Sequence, residues 1–272
     1  MIHTPKDCST LENVSRQQIR LLLQGYYGQG KTYAALTAPN PCVINLDNNL
    51  GAHTGRKDII NVKFYDKDFV KKYNQSGIVH LAIVKWITDE GSKLTEEQTL
   101  VMDGLTNFQN AYDREVNIPL STRTGKPDLM QWWGEKLDWQ KEFFESLKTL
   151  KCDVIICCHE QPEREDEGGL TGKILPLVQG SFKDQIGTHF TDIFRQHAIS
   201  KPDVAKLSDT DWAKTLANFK MTTKVQYASL IDSFEDNTMY LWQTSPDSIS
   251  ACKTHLVGAP KFVKADWKIF SA

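Results

Sequence analysis

The chain has 272 residues, which is enough for one large α/β domain or for one domain with an appendage. Its 32 lysines and arginines nearly balance 34 acidic residues, and the formal net charge is -2. Any nucleic-acid contact must therefore come from a local basic patch or from assembled subunits. No stretch approaches the roughly 20 apolar residues of a membrane helix. The six scattered cysteines predict reduced thiols in a cytosolic protein with no membrane partner.

Apolar runs and helical periodicities alternate along the first 160 residues. This alternation predicts a mostly parallel sheet with right-handed crossovers, flanked by helices. The predicted strands are 19–24, 42–46, 59–65, 99–103 and 154–158, and the predicted helices are 31–37, 77–88, 105–116 and 128–150. The sequence therefore predicts the α/β fold class.

The pattern changes after residue 160, where an acidic, glycine-bearing stretch precedes another extended run. We expect a hairpin or flexible loop over 161–178, a strand over 191–197, a short helix within 204–220 and a closing β segment from 240. The predicted organisation is an N-terminal segment 1–18, a core 19–200, and a C-terminal helical and β extension 201–272 packed on that core.

The first predicted strand runs directly into a Gly-x-x-x-x-Gly-Lys-Thr motif, which is followed by a helix. Glycines in such a loop allow backbone N–H groups to turn onto phosphate oxygens at a helix N-terminus. The motif predicts that Lys31 reaches the β- and γ-phosphates and that the Thr32 hydroxyl binds Mg²⁺. The predicted nucleotide-binding residues are Gly25, Tyr26, Tyr27, Gly28, Gln29, Gly30, Lys31, Thr32 and Tyr33. The Asn-Lys-x-Asp motif by which GTP enzymes read the base is absent from the sequence, so ATP is favoured.

Three further polar residues follow predicted strands, at the sheet edge where ligands of parallel sheets bind. Asp103 either joins Thr32 in holding Mg²⁺ or caps the next helix. Asp47 either activates the attacking water or caps a turn. His159 either senses the γ-phosphate or is an ordinary histidine at a strand end. Lys31, Asp47 and His159 are the predicted catalytic residues.

Aromatic and basic residues in the second half have two interpretations each. Trp132, Trp133 and Trp139 either stack on nucleic-acid bases or belong to the core or a subunit interface. One of Lys173, Lys183 and Arg195 either acts as a charge-stabilising finger on a neighbouring subunit's nucleotide or is a solvated surface charge.

Several of these segments resemble the RecA-like ATPases that bacteriophages encode for single-strand annealing and recombination. The resemblance lies in the run 21–32, in Pro-Cys-Val-Ile-Asn-Leu-Asp at 41–47, in Leu-Val-Met-Asp-Gly-Leu-Thr at 100–106, in Ile-Ile-Cys-Cys-His-Glu at 155–160, and in C-terminal segments at 244–247, 253–256 and 258–261. It implies that Asp47 is the water-activating acid, that His159 is the γ-phosphate sensor, and that the loop after Glu160 lies near DNA. It also implies ATP bound between subunits of a ring or filament in the bacterial cytoplasm.

Two functional hypotheses follow. The first is a Mg²⁺-dependent ATPase that acts on single-stranded DNA in phage recombination or replication, with phage recombination or replication proteins as partners. The second is a nucleotide-gated assembly module with slow hydrolysis and a protein partner. The acidic stretch 163–167 and the near-zero net charge favour the second, because acidic residues repel phosphates.

Overall fold

The structure is a computed structural model, and it describes residues 17–64, 67–73, 79–116, 129–164, 169–200, 232 and 237–271. Most of the predicted N-terminal segment, the predicted helix within 204–220, and residues 165–167 of the acidic stretch lie outside the described residues. No helix in the described part of the chain is both long and apolar enough to cross a membrane.

Ten short strands and five α-helices make up the described part of the fold. In chain order they are β1 (Arg20–Gln24), β2 (Pro41–Asn45), β3 (Ile60–Val62), β4 (Thr99–Asp103), β5 (Asp153–Cys158), β6 (Glu160–Arg164), β7 (Leu170–Pro176), β8 (Asp192–Ser200), β9 (Thr238–Gln243) and β10 (Phe262–Lys264). The helices are α1 (Lys31–Ala35), α2 (Lys67–Tyr73), α3 (Val79–Asp89), α4 (Leu105–Val116) and α5 (Leu129–Leu147). Each strand and helix predicted from 19 to 158 is present, with bounds shifted by a few residues at most.

Eight strands form one sheet in the order β10-β9-β8-β1-β5-β4-β2-β3. The six strands from β8 to β3 pair in parallel, and β9 and β10 add to the β8 edge in antiparallel fashion. The prediction of a mostly parallel α/β sheet with a C-terminal β extension is confirmed. In such a sheet the carboxyl ends of β1, β4 and β5 lie side by side, which is where a ligand site is expected.

Both faces of the sheet are buried, as the continuous apolar strands require. Leu22 of β1 packs with α3, α4 and α5 on one face, whereas its neighbours Leu21 and Leu23 pack with α1 on the other. The C-terminal 3-10 helix Trp267–Ser271 also packs on the α1 face, through Trp267 and Phe270. Successive side chains of a strand point to opposite faces of the sheet, so the last residue of each strand faces the same side as the residue two positions before it.

The strands β6 and β7 form a separate antiparallel hairpin that leaves the main sheet directly after β5. Its base is tied to the rest of the chain, because the Leu177 N–H donates to the His159 carbonyl over 2.6 Å and the Ile174 N–H donates to the Ile249 carbonyl over 2.7 Å. The predicted hairpin over 161–178 is therefore present, although its residues 165–168 are not described.

The tryptophans of α5 divide between the core and the surface. Trp132 is buried and Trp139 packs against the core cluster, as the core interpretation predicted, whereas Trp133 is 42% exposed.

Candidate nucleotide-binding site

The loop between β1 and α1 has the backbone conformation that its glycines allow. Gly28 and Gly30 have φ angles of 74° and 78°, in the left-handed region that glycine adopts without strain. A side chain at Gly30 would also collide with the Tyr240 ring, because an added Cβ would lie 2.6 Å from Cε1 of that ring. Helix α1 begins at Lys31, immediately after this turn. The loop therefore presents the N-terminus of a helix at the carboxyl end of β1.

The Lys31 side chain folds back across the loop. Its Nζ donates hydrogen bonds of 2.9 Å to the carbonyls of Gly25 and of Tyr26, and only 9% of the residue is exposed. Gln29 closes the turn from the other side, because its Oε1 accepts the Tyr26 N–H over 3.1 Å. The ammonium group is thus held beside the loop backbone, where phosphate oxygens could replace the two carbonyls as its partners.

Thr32 and Asp103 meet across the site. The Thr32 hydroxyl donates a 2.8 Å hydrogen bond to Oδ2 of Asp103, which ends β4 and is 2% exposed. Burial raises the pKa of Asp103 to about 6, and the nearby Asp47 carboxylate contributes to that rise. Because the hydroxyl hydrogen points to Asp103, the hydroxyl lone pairs stay available for a cation. Two hard oxygens side by side are a donor set that fits Mg²⁺.

Asp47 lies beside Asp103 and is held there by an asparagine that the sequence reasoning missed. The Asp47 N–H donates to the Asp103 carbonyl over 3.1 Å, and its Oδ1 accepts the Asn107 amide over 2.6 Å. Gly104 leaves room for this carboxylate, because a Cβ there would lie 3.2 Å from the same oxygen. Asn107 sits in the first turn of α4, beyond the end of β4, so a search of strand ends alone does not select it.

His159 is the first residue after β5 and is half-buried. Burial lowers the pKa of His159, and the Lys31 ammonium lowers it further, whereas Asp47 has the opposite effect. The imidazole is therefore neutral at neutral pH and can either donate or accept a hydrogen bond. Its backbone carbonyl holds the base of the β6–β7 hairpin, so this residue links the site to the hairpin.

Arg195 has a different environment from either of those considered for it in the sequence. Its Nε and Nη2 donate to the two carboxylate oxygens of Glu160 over 2.8 and 3.0 Å, and Nη1 donates to the Ser250 hydroxyl over 3.1 Å. Both charged side chains are largely buried. Arg195 is thus paired within this chain and is not a solvated surface charge. Lys173 is exposed and lies 4.0 Å from Glu163.

Tyrosines surround the loop. Tyr26 and Tyr27 pack on each other with ring centroids 4.3 Å apart, and they are 52% and 70% exposed. Tyr33, in the first turn of α1, is 54% exposed. The structure thus brings the predicted residues 25–33, 47, 103 and 159 to one edge of the sheet, and it adds Asn107 and Tyr240.

A family model described as an AAA domain matches residues 17–223 of the chain. The ATP synthase subunit NeqB from Nanoarcheaum equitans is 11% identical over 79% of this chain and 57% of its own, with a TM-score of 0.35. An ATPase from the type III secretion system of pathogenic bacteria is 12% identical over 80% of this chain and 65% of its own, with a TM-score of 0.35. The type III secretion ATPase EscN from enteropathogenic E. coli is 13% identical over 66% of this chain and 43% of its own, with a TM-score of 0.34.

This chain therefore spans less than two thirds of the length of each of these three structures. No curated protein sequence matches it.

Proposed function

The chain belongs to the AAA domain family, and we propose that it is a Mg²⁺-dependent ATPase that uses the loop Gly25–Thr32 to bind the triphosphate of ATP. The observation that carries the proposal is the contact between Thr32 and Asp103, which joins the loop to the end of β4. A glycine loop alone can be an ordinary turn. A glycine loop whose threonine meets a buried carboxylate beside a lysine has the groups that phosphate and a divalent cation need.

Each residue of the site has a proposed role. Lys31 and the backbone N–H groups of residues 28–32 bind phosphate oxygens, and Thr32 and Asp103 hold the cation. Bound Mg²⁺ would supply positive charge that offsets the charge of the phosphates. Asp47 orients the attacking water and takes its proton at Oδ2, since Oδ1 already accepts the Asn107 amide.

His159 is proposed to report the γ-phosphate. A neutral imidazole beside Lys31 can donate a hydrogen bond to a phosphate oxygen, and the pKa shift of His159 keeps it neutral. Its backbone carbonyl holds Leu177 at the end of the hairpin. His159 also directly precedes β6 in the chain, so a change at the imidazole reaches the hairpin through the next peptide bond and through this hydrogen bond, which supports a nucleotide-dependent hairpin position.

We propose two forms of the process that ATP binding and hydrolysis would drive, one with DNA as the partner and one with a protein. The resemblance to phage recombination ATPases supports action on single-stranded DNA by an oligomer, with the hairpin near DNA. The hairpin itself favours a protein partner: Leu170 is 64% exposed there, and Glu163 offsets the charge of Lys173. Arg195 is also committed to Glu160 instead of facing outward. Exposed apolar groups together with paired charges are more typical of a protein interface than of a phosphate-binding surface.

Lys31→Ala tests the ATPase proposal, with Lys85→Ala on the exposed side of α3 as the matched control. We expect Lys31→Ala to lose ATP binding and hydrolysis, and Lys85→Ala to keep both. Unchanged turnover in Lys31→Ala would show that the proposal is wrong. Turnover measured with and without single-stranded DNA, at two salt concentrations, separates the two forms. Stimulation with salt-sensitive binding supports the recombination form, and the absence of both supports the assembly form.

A further inference from the structure

Three aromatic rings lie in a row beside the phosphate loop. The Tyr33 ring is in the middle, with its centroid 5.8 Å from that of Tyr240 and 6.1 Å from that of His53. Neighbouring planes are inclined by 35° and 30°. Three separate segments supply these rings, namely α1, β9 and the short 3-10 helix Gly51–His53. More than half of Tyr33 is exposed, so one side of the row faces solvent.

The row is continuous with the phosphate loop. The Tyr240 ring covers Gly30 so closely that a Cβ there would lie 2.6 and 2.8 Å from two of its carbons. Tyr33 follows Lys31 by two residues in α1. A ligand whose phosphates occupy the loop would therefore have an aromatic surface directly beside it, on the side of β9.

We propose that Tyr33 and Tyr240 form the surface on which the base of the bound nucleotide stacks. This inference rests on the proposed function, because it names the base subsite of the same site. A base presents a flat π face, and stacking on tyrosine rings holds it without reading its hydrogen-bonding edge. The surface therefore takes purines in preference to the smaller pyrimidines, and it discriminates weakly between adenine and guanine.

The exposed pair Tyr26–Tyr27 is the competing position for the base. These two rings already pack on each other, and both belong to the loop itself. Tyr33 and Tyr240 instead belong to a helix and a strand, which position their backbones before a ligand arrives, and the Tyr240 ring packs against the buried cluster on the α1 face. A prearranged surface binds with a smaller entropy loss than a mobile one, so the geometry points to Tyr33 and Tyr240.

The test is a calorimetric titration of the full chain, in the presence of Mg²⁺, with either ATP or inorganic tripolyphosphate. Tripolyphosphate carries phosphates but no base. Tyr33→Ala should weaken ATP binding about 10- to 100-fold, the range for losing one base-stacking partner. The same variant should bind tripolyphosphate as the wild type does. Tyr33→Phe should bind ATP with the affinity of the wild type, because the ring is retained. Leu81→Ala, an exposed apolar truncation on α3 at the opposite face, is the control.

A second measurement checks the preference among bases. The wild type should bind ATP more tightly than CTP, and Tyr33→Ala should reduce that ratio. Three outcomes overturn the subsite: ATP affinity unchanged in Tyr33→Ala, equal loss of ATP and tripolyphosphate, or an ATP-specific loss in Tyr27→Ala but not in Tyr33→Ala. If the wild type binds neither ATP nor tripolyphosphate, the proposed function itself is overturned. That result is distinct from a failure of the subsite alone.

Discussion

We expect the buried Asp103 carboxylate to lower the free energy of unfolding of the protein when no cation is bound. Burial raises its pKa from 3.8 to about 6, and the Asp47 carboxylate adds to the rise. A group whose pKa is higher in the folded chain contributes stability that is complete below pH 3.8 and is lost as the pH rises through about 6. Above that pH the folded chain holds an ionised, buried carboxylate, at a cost of roughly 3 kcal/mol relative to the unfolded chain.

Asp103→Asn removes this cost while keeping an oxygen that can accept the Thr32 hydroxyl. Without divalent cations at pH 7.5, we expect the variant to exceed the wild type in free energy of unfolding by up to about 3 kcal/mol. The difference should shrink as the pH falls below 6 and be close to zero near pH 4. Urea unfolding at several pH values measures it. Mg²⁺ should stabilise the wild type, because the ion binds the folded site and not the unfolded chain. It should not stabilise the variant, which lacks the Asp103 carboxylate.

Asp192 provides the contrasting control. Both of its buried carboxylate oxygens accept hydrogen bonds: Oδ1 accepts the Thr254 hydroxyl over 2.8 Å and the His255 backbone N–H over 3.1 Å, and Oδ2 accepts the Thr191 hydroxyl over 2.7 Å. Asp192→Asn places an amide among those donors and should lower stability by about 1–3 kcal/mol. Our reasoning about Asp103 is refuted if Asp103→Asn is no more stable than the wild type at pH 7.5, if its gain does not depend on pH, or if Mg²⁺ stabilises it equally.

Three further substitutions test the rest of the site. Asp47→Asn should keep ATP affinity within a few-fold while kcat falls about 10²- to 10⁴-fold, and an unchanged kcat would remove Asp47 from the proton-transfer role. Gly30→Ala should abolish ATP binding, because the added Cβ collides with the Tyr240 ring and the left-handed φ of this residue adds about 1–2 kcal/mol of strain. Calorimetric binding of ATP equal to that of the wild type would contradict this. Glu160→Gln should lower the unfolding free energy by about 3–5 kcal/mol, since Arg195 loses its buried carboxylate, and an unchanged urea midpoint would show the pair to be unimportant.

Local sequence patterns were sufficient for the parallel core. The strand ending at Asp103 and the helix beginning at Leu105 have the bounds that periodicity predicts. Side chains at the carboxyl ends of neighbouring parallel strands meet because the topology brings those ends together, so the proximity of Asp47 to Asp103 followed from the order of elements. The assignment of Thr32 and Asp103 to one cation combined the glycine-loop motif with the position of Asp103 at a strand end, and the 2.8 Å contact supports it.

Contacts between segments distant in the chain could not be predicted in this way. Arg195 and Glu160 are 35 residues apart, and charge alone does not reveal which basic residue a buried carboxylate will hold. Tyr240 follows Gly30 by 210 residues, and nothing in its local sequence marks it as a neighbour of the phosphate loop. Such pairs depend on the register of β8 with β1 and with β9, which hydrophobic periodicity does not specify.

Contacts from the C-terminal segments stabilise the short helix that follows the phosphate loop. Helix α1 has only five residues, and a helix so short has no stability of its own in water. The C-terminal segments support it at both ends, with the Tyr240 ring over Gly30 at its start and the Trp267 N–H donating to the Thr37 hydroxyl over 2.8 Å just beyond its end. The antiparallel extension is therefore structurally part of the candidate site, since it holds in place the helix whose N-terminus would face the phosphates.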